Sequence, residues 1–252
     1  VGSRRIRPHG ATGWNYGSVR QMDKQRLLIT GASQGIGAAL VSLAREQGHE
    51  VVFTGRDQGR INSVAAESGA HGIRADVASP DDNQRTLETC VDRMGGIDVL
   101  VNNAGIGYLA EVGEIDMDAM RALFDINVFG LVDLTNRVAP MLKAQQRGYI
   151  FNIASTSGMK GAKAGTVYAA SKWAVRGITQ CWQAELRPHG VHVTCVCPSE
   201  VQTDWMGRTG RNNSNKLYAI DIAEAIMAVL GMQPRALWPE FAVFANNPWK
   251  ED

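Results

Sequence analysis

The chain has 252 residues, 44% of them hydrophobic and 20% charged, enough apolar material for the core of one α/β domain. Lys plus Arg number 26 against 25 for Asp plus Glu, and a net charge of +1 offers no broad field to attract nucleic acid or anionic lipid. No unbroken apolar run is long enough to span a membrane, and the four cysteines, Cys90, Cys181, Cys195 and Cys197, suit neither a disulfide framework nor a zinc-ligand set, which points to a reducing, cytoplasmic setting.

Residues 1–21 are rich in Gly and Arg, hold no acidic residue and lack the apolar centre of a secretory signal. They are read as an extension outside the fold, with a single domain running from Met22 to the C-terminus. Short apolar runs then alternate with helix-length segments: Arg26 to Thr30, Glu50 to Thr54, Gly72 to Ala75, Val99 to Val101, Tyr149 to Ile153, Val191 to Cys197 and Phe241 to Phe244. This β-α-β alternation predicts a doubly wound Rossmann-type domain, a mostly parallel sheet with helices on both faces. Strands covered on both faces read as continuous apolar runs, as Leu27-Leu28-Ile29 and Asp98-Val99-Leu100-Val101 do. Cys195 and Cys197 fall in the sixth run and are read as buried structural thiols on opposite faces of a strand, with no chemistry assigned.

The turn Thr30-Gly31-Ala32-Ser33-Gln34-Gly35-Ile36-Gly37 lies between the first strand and the first helix, where backbone N–H groups and the helix dipole face a pyrophosphate. Glycine is required where a side chain would block that approach. Three glycines alone are a weak signal; the strand before and the helix after strengthen it. After the second strand comes Phe53-Thr54-Gly55-Arg56-Asp57. Gly55 stands where a ribose-binding acid is expected, and Arg56 carries a guanidinium able to pair with a 2′-phosphate, so NADP(H) is favoured and NAD(H) is left open. The competing reading makes Arg56 a solvated loop residue and Asp57 a helix cap.

Tyr168 and Lys172 are four apart in Tyr-Ala-Ala-Ser-Lys and share one helix face. An ammonium beside a phenol favours phenolate and brings the group toward proton exchange with a substrate oxygen. Ser155 follows the strand Tyr149 to Ile153, at the sheet edge where ligands of open α/β folds bind, and its hydroxyl can hold a carbonyl oxygen. Together with the glycine turn and Asn102-Asn103-Ala104-Gly105, this set in this order resembles the short-chain dehydrogenase/reductase family over about Met22 to the C-terminus.

The resemblance implies Tyr168 as acid/base, Ser155 as the holder of the substrate oxygen, and Lys172 as both tuner of Tyr168 and ligand of the nicotinamide ribose. It also implies Asn127 as support for a proton relay, Asp76 and Val77 at the adenine, and Asn103, Ala104, Gly105, Pro198, Val201 and Thr203 along the cofactor. No metal is needed for this chemistry. Two departures stand out: Pro198-Ser199 replaces the usual Pro-Gly, and Gln34 replaces the basic residue common in NADP-preferring members.

Residues 199–220 are polar and rich in Gly and Asn and read as a loop over the substrate, with Trp205 and Met206 as candidate apolar contacts. The substrate implied is a small carbonyl or alcohol, of 3-oxoacyl or small hydroxy-acid type. The family also implies a homodimer or homotetramer, with contacts on the helices around Met117 to Ala144 and Tyr168 to Leu186. The alternatives are a catalytically silent dinucleotide-binding regulatory protein and an NAD-dependent hydroxy-acid or alcohol dehydrogenase.

Overall fold

The computed structural model describes residues 23–203 and 213–247. The extension at 1–21 and the candidate contacts Trp205 and Met206 lie outside the described residues. Seven parallel strands form one sheet in the order β3-β2-β1-β4-β5-β6-β9. They are β1 (Arg26–Ile29), β2 (Glu50–Gly55), β3 (His71–Arg74), β4 (Val99–Asn102), β5 (Gly148–Ile153), β6 (Val191–Pro198) and β9 (Glu240–Val243), matching the seven expected runs. A two-stranded ribbon pairs β7 (Val201–Gln202) with β8 (Leu217–Tyr218). Helices α1 (Gly35–Glu46), α2 (Gln58–Ser68), α3 (Pro80–Met94), α4 (Met117–Phe124), α5 (Leu131–Gln145), α6 (Thr166–Leu186) and α7 (Ala219–Leu230) cover the sheet. Among the described residues no helix is long and apolar enough to cross a membrane.

The alternation of side chains along the strands builds two cores. Leu27, Ile29, Val51, Phe53, Val99 and Val101 pack with Leu40 of α1 and Ile226 of α7, while Leu28, Val52 and Leu100 pack on the other face with Cys90 of α3 and Leu134 of α5. The α3 helix has explicit ends: Ser79 accepts from the Asp82 N–H, Pro80 opens the first turn, and Gly95 closes it at φ 72°. Because the strand order reverses between β1 and β4, a crevice opens at their carboxyl ends, and this is where the site lies.

One expectation is corrected. Cys195 and Cys197 share a face of β6, with their sulfurs 3.7 Å apart, and both pack with Leu131 and Val175. Side chains alternate with a period of two residues, so positions two apart point the same way.

Candidate active site

The glycine turn joins β1 to α1. Gly31 has φ 61°, and a Cβ there would lie 2.6 Å from the Ala104 Cα, so the turn after β4 can press against it only when position 31 is glycine. The Asn103 side chain fastens the two turns, donating to the carbonyls of Thr30 at 2.9 Å and Gly31 at 3.0 Å. Gln34 makes no side-chain cap to α1, so the first N–H groups of that helix remain available to an anion. Gly31, Ser33, Gln34, Gly35 and Ile36 line the cavity. Gly37 does not: a Cβ there would meet Ala32 Cα and Asn103 Nδ2, each at 2.6 Å, so it serves the packing of α1 on the turn.

At the far end of the crevice, a Cβ on Gly55 would lie 2.7 Å from both Cβ and Oγ of Ser33, which leaves little room for an acid at the end of β2. Arg56 lines the cavity and stands 3.9 Å from Asp76, both largely exposed. Asp57 caps α2, accepting from the Arg60 N–H at 2.9 Å. An exposed Arg56 and a capping Asp57 are thus both present, as the loop reading expects, and Arg56 also faces the cavity. Arg60, absent from the sequence reading, is a second cation in the lining; its signal was its place in the turn that Asp57 caps. Asp76 and Val77 complete this end.

Ser155 caps the short turn Thr156–Gly158, its Oγ accepting from the Ser157 N–H at 3.1 Å. Tyr168 sits in the first turn of α6 and lines the cavity together with Ser155. Lys172, one turn later and only 5% exposed, donates from Nζ to the Ile153 carbonyl at 2.8 Å. The direction of the Tyr168 shift differs from the sequence expectation. Burial pushes its pKa up to about 12, with the Ser155 side chain pulling back. Burial also brings Lys172 down to about 8, against the opposing influence of Cys195 and Cys197, which weakens the charge meant to favour the phenolate.

Asn127 lies in a π-helical segment, Asp125–Gly130, between α4 and α5. Its Oδ1 accepts from the Ile106 N–H at 2.8 Å, and its Nδ2 donates to the Ile106 carbonyl at 3.0 Å and to Ser171 Oγ at 3.2 Å. Ser171 in turn donates to the Tyr168 carbonyl at 2.7 Å. Asn127 does not line the cavity; it stands behind Gly105, where a Cβ would meet Asn127 Oδ1 at 3.3 Å and Lys172 Nζ at 3.5 Å. Ser171 was missed because Ser at that position reads as filler between Tyr168 and Lys172.

The cavity measures ≈ 690 Å³ and is also lined by Asn103, Ala104, Gly105, Ser155, Tyr168, Lys172, Pro198, Val201 and Thr203. The lining also includes Ile106, Leu109, Ser157, Glu200 and Lys216, none of which the sequence singled out. Lys216 Nζ pairs with Glu200 at 3.0 Å. It arrives there because β8 pairs with β7, Leu217 opposite Val201, a register that no local pattern announces.

The family model described as short chain dehydrogenase matches residues 25–214. The chain belongs to the short-chain dehydrogenase family. It is 38% identical over 209 residues to an uncharacterised oxidoreductase of Staphylococcus saprophyticus, covering 81% of this chain and 89% of that one. Among solved structures, this short-chain dehydrogenase is similar to a serine dehydrogenase in its closed form with NADP+, at a TM-score of 0.82 and 28% identity over 86% of this chain and 93% of the other. It is also similar to a 3-ketoacyl-(acyl-carrier-protein) reductase from Brucella melitensis complexed with NADH, at a TM-score of 0.81 and 26% identity over 87% and 96%. The protein is thus an oxidoreductase of the short-chain type, acting between CH–OH and C=O with a nicotinamide dinucleotide.

Proposed function

We propose that this dehydrogenase uses NADP(H) to interconvert an alcohol with a ketone or aldehyde, with Tyr168 as acid/base. The observation that carries this reading is that Ser155, Tyr168 and buried Lys172 line one crevice together with Arg56 and Arg60. The residues fit a dinucleotide: the uncapped start of α1 offers N–H groups to the pyrophosphate, and the two arginines offer charge to a 2′-phosphate. When bound, the nicotinamide would supply or accept the hydride.

The chain's own part is to orient and to move a proton. Ser155 Oγ holds the substrate oxygen. Tyr168, a protonated phenol at neutral pH, gives its proton to that oxygen in the reductive direction and takes it back in the oxidative one. Lys172 would hold the nicotinamide ribose when the cofactor is bound, and its charge stabilises the phenolate while Tyr168 is deprotonated. Asn127 and Ser171 hold Ile106 and the start of α6 in place.

A small hydroxy acid is the substrate class we favour, since one structural neighbour is a serine dehydrogenase. The 3-oxoacyl reading draws on the other neighbour, the 3-ketoacyl reductase. We place the protein in the cytoplasm as a homo-oligomer, the exposed Met117, Phe129 and Trp173 supporting contacts on the faces of α4, the π-helical segment and α6. The test is a panel of small 3-hydroxy acids and neutral alcohols with NADP+ and with NAD+. NADP+-dependent oxidation of acids, lost in Tyr168→Phe, supports the proposal; turnover unaffected by that substitution, or a preference for NAD+, overturns the corresponding part.

A further inference from the structure

We propose that Cys195, Cys197 and Glu240 form a binding site for a thiophilic closed-shell dication, Zn²⁺ or Cd²⁺, where β6 meets the edge strand β9. The topology brings the three donors together. Cys195 and Cys197 share one face of β6, and Glu240 is the register partner of Cys195 on the edge strand β9. Their ligand atoms all lie within 4.8 Å of one another.

The sulfur separation favours chelation over oxidation. Two thiolates bound at about 2.3 Å to one tetrahedral zinc stand roughly 3.8 Å apart, and these sulfurs are 3.7 Å apart before any metal arrives. A disulfide needs about 2.05 Å between sulfurs and Cα atoms no more than about 6.8 Å apart. Strand positions two apart already span roughly 6.6 Å, so the bridge would have to form at the limit of its range.

The charge balance favours the exchange as well. With both thiols protonated, the donor set carries only the Glu240 charge, and Arg176 matches it through Nε to Oε2 at 2.7 Å and Nη2 to Oε1 at 2.8 Å. A dication that displaces two thiol protons leaves the buried charge unchanged, so no new uncompensated charge is placed beside Lys172 or Arg176. Each Glu240 oxygen keeps a lone pair for the metal while its other lone pair stays with Arg176, an outer hydrogen bond of the kind that orients metal-bound carboxylates. Arg176 is itself held by the Gly158 carbonyl at 2.6 Å. Cys195 and Cys197 are 2% and 0% exposed, whereas the Glu240 side chain is 29% exposed, so the ion enters from the β9 edge. Once there it ties the edge strand to β6.

The experiment titrates the full-length chain with Cd²⁺ after stripping by chelator and reduction with a phosphine. It follows the ultraviolet thiolate-to-cadmium charge-transfer band, the protons released and the Tm. The expected result is one Cd²⁺ and two protons per chain with a raised Tm. The band is lost in Cys195→Ser and in Cys197→Ser, weakened about tenfold or more in affinity in Glu240→Gln, and unchanged in Cys181→Ser. Because a cysteine variant can fail to fold and both thiols are buried in the folded chain, alkylation of the wild-type chain across its urea unfolding transition gives a second reading: Cd²⁺ moves the alkylation of Cys195 and Cys197, read by peptide mass, to higher urea and leaves Cys181 reactive throughout. No saturable band, a band that survives loss of both cysteines, or alkylation of Cys195 and Cys197 unaffected by Cd²⁺ overturns the proposal.

Discussion

Lys172 Nζ stands 5.7 Å from the centre of the Tyr168 ring, yet its hydrogen bond goes to the Ile153 carbonyl. The lysine is therefore fixed to the end of β5, and its influence on the tyrosine acts through space. Replacing Tyr168 with Phe removes the transferable proton and leaves the ring packing, so kcat should fall by about 10²- to 10⁴-fold with cofactor affinity nearly unchanged. Steady-state kinetics beside a fluorescence titration of NADPH separates the two.

The Lys172 pKa has a consequence for stability. Its folded value of about 8 lies below the unfolded value, so between about pH 8 and pH 10.5 the unfolded chain binds more protons at this site. The cost of burying the ammonium is full below pH 8 and is relieved as pH rises through that window. Urea unfolding of the wild type and Lys172→Met across pH 7 to 10 should show the wild type gaining on the variant as pH rises. A difference independent of pH would contradict this account.

Arg56 and Arg60 face the same end of the crevice. Removing either guanidinium should weaken NADPH by about tenfold, or about 1.4 kcal/mol, and leave NADH within about twofold. Equal losses for the two cofactors would show that the arginines do not meet a 2′-phosphate.

Asp98 shows how the sheet is tied at its opposite end. It accepts from Arg26 Nε at 2.8 Å, Arg26 Nη2 at 2.7 Å and the Arg26 backbone N–H at 3.1 Å. Burial pushes its carboxyl up, but the Arg26 hydrogen bonds outweigh burial and hold it below the usual carboxylate range. Asp98→Asn should cost about 2–3 kcal/mol at neutral pH. The stabilisation is present above the ordinary Asp pKa and lost as pH falls through the lowered one, so the two unfolding curves should converge in acid.

Phe129 and Trp173 are exposed on the helices that cover one side of the molecule. If these faces hold a second copy of the chain, Phe129→Glu should shift the mass in light scattering toward the monomer, with the far-ultraviolet spectrum unchanged. An unchanged mass would place the contact elsewhere.

Seven strands, the glycine turn and the Ser155, Tyr168 and Lys172 set were legible in the sequence because each is a local pattern: apolar runs, a turn that needs glycine, and a spacing of four on one helix. The same locality explains what was missed. Arg60, Glu200 and Lys216 carry no motif and enter the cavity through a helix cap and a β-ribbon register. The rise of the Tyr168 pKa follows from burial, which depends on how α6 packs against the sheet and not on the nearest charge in the sequence. The shared face of Cys195 and Cys197 was within reach of the two-residue period of a strand. Glu240 was not, because only the pairing of β6 with β9 sets a residue from the end of the chain beside a pair of thiols in the core of the sheet. Short-range chemistry is written along the chain, whereas burial, register and the meeting of distant side chains are decided only when the layers pack.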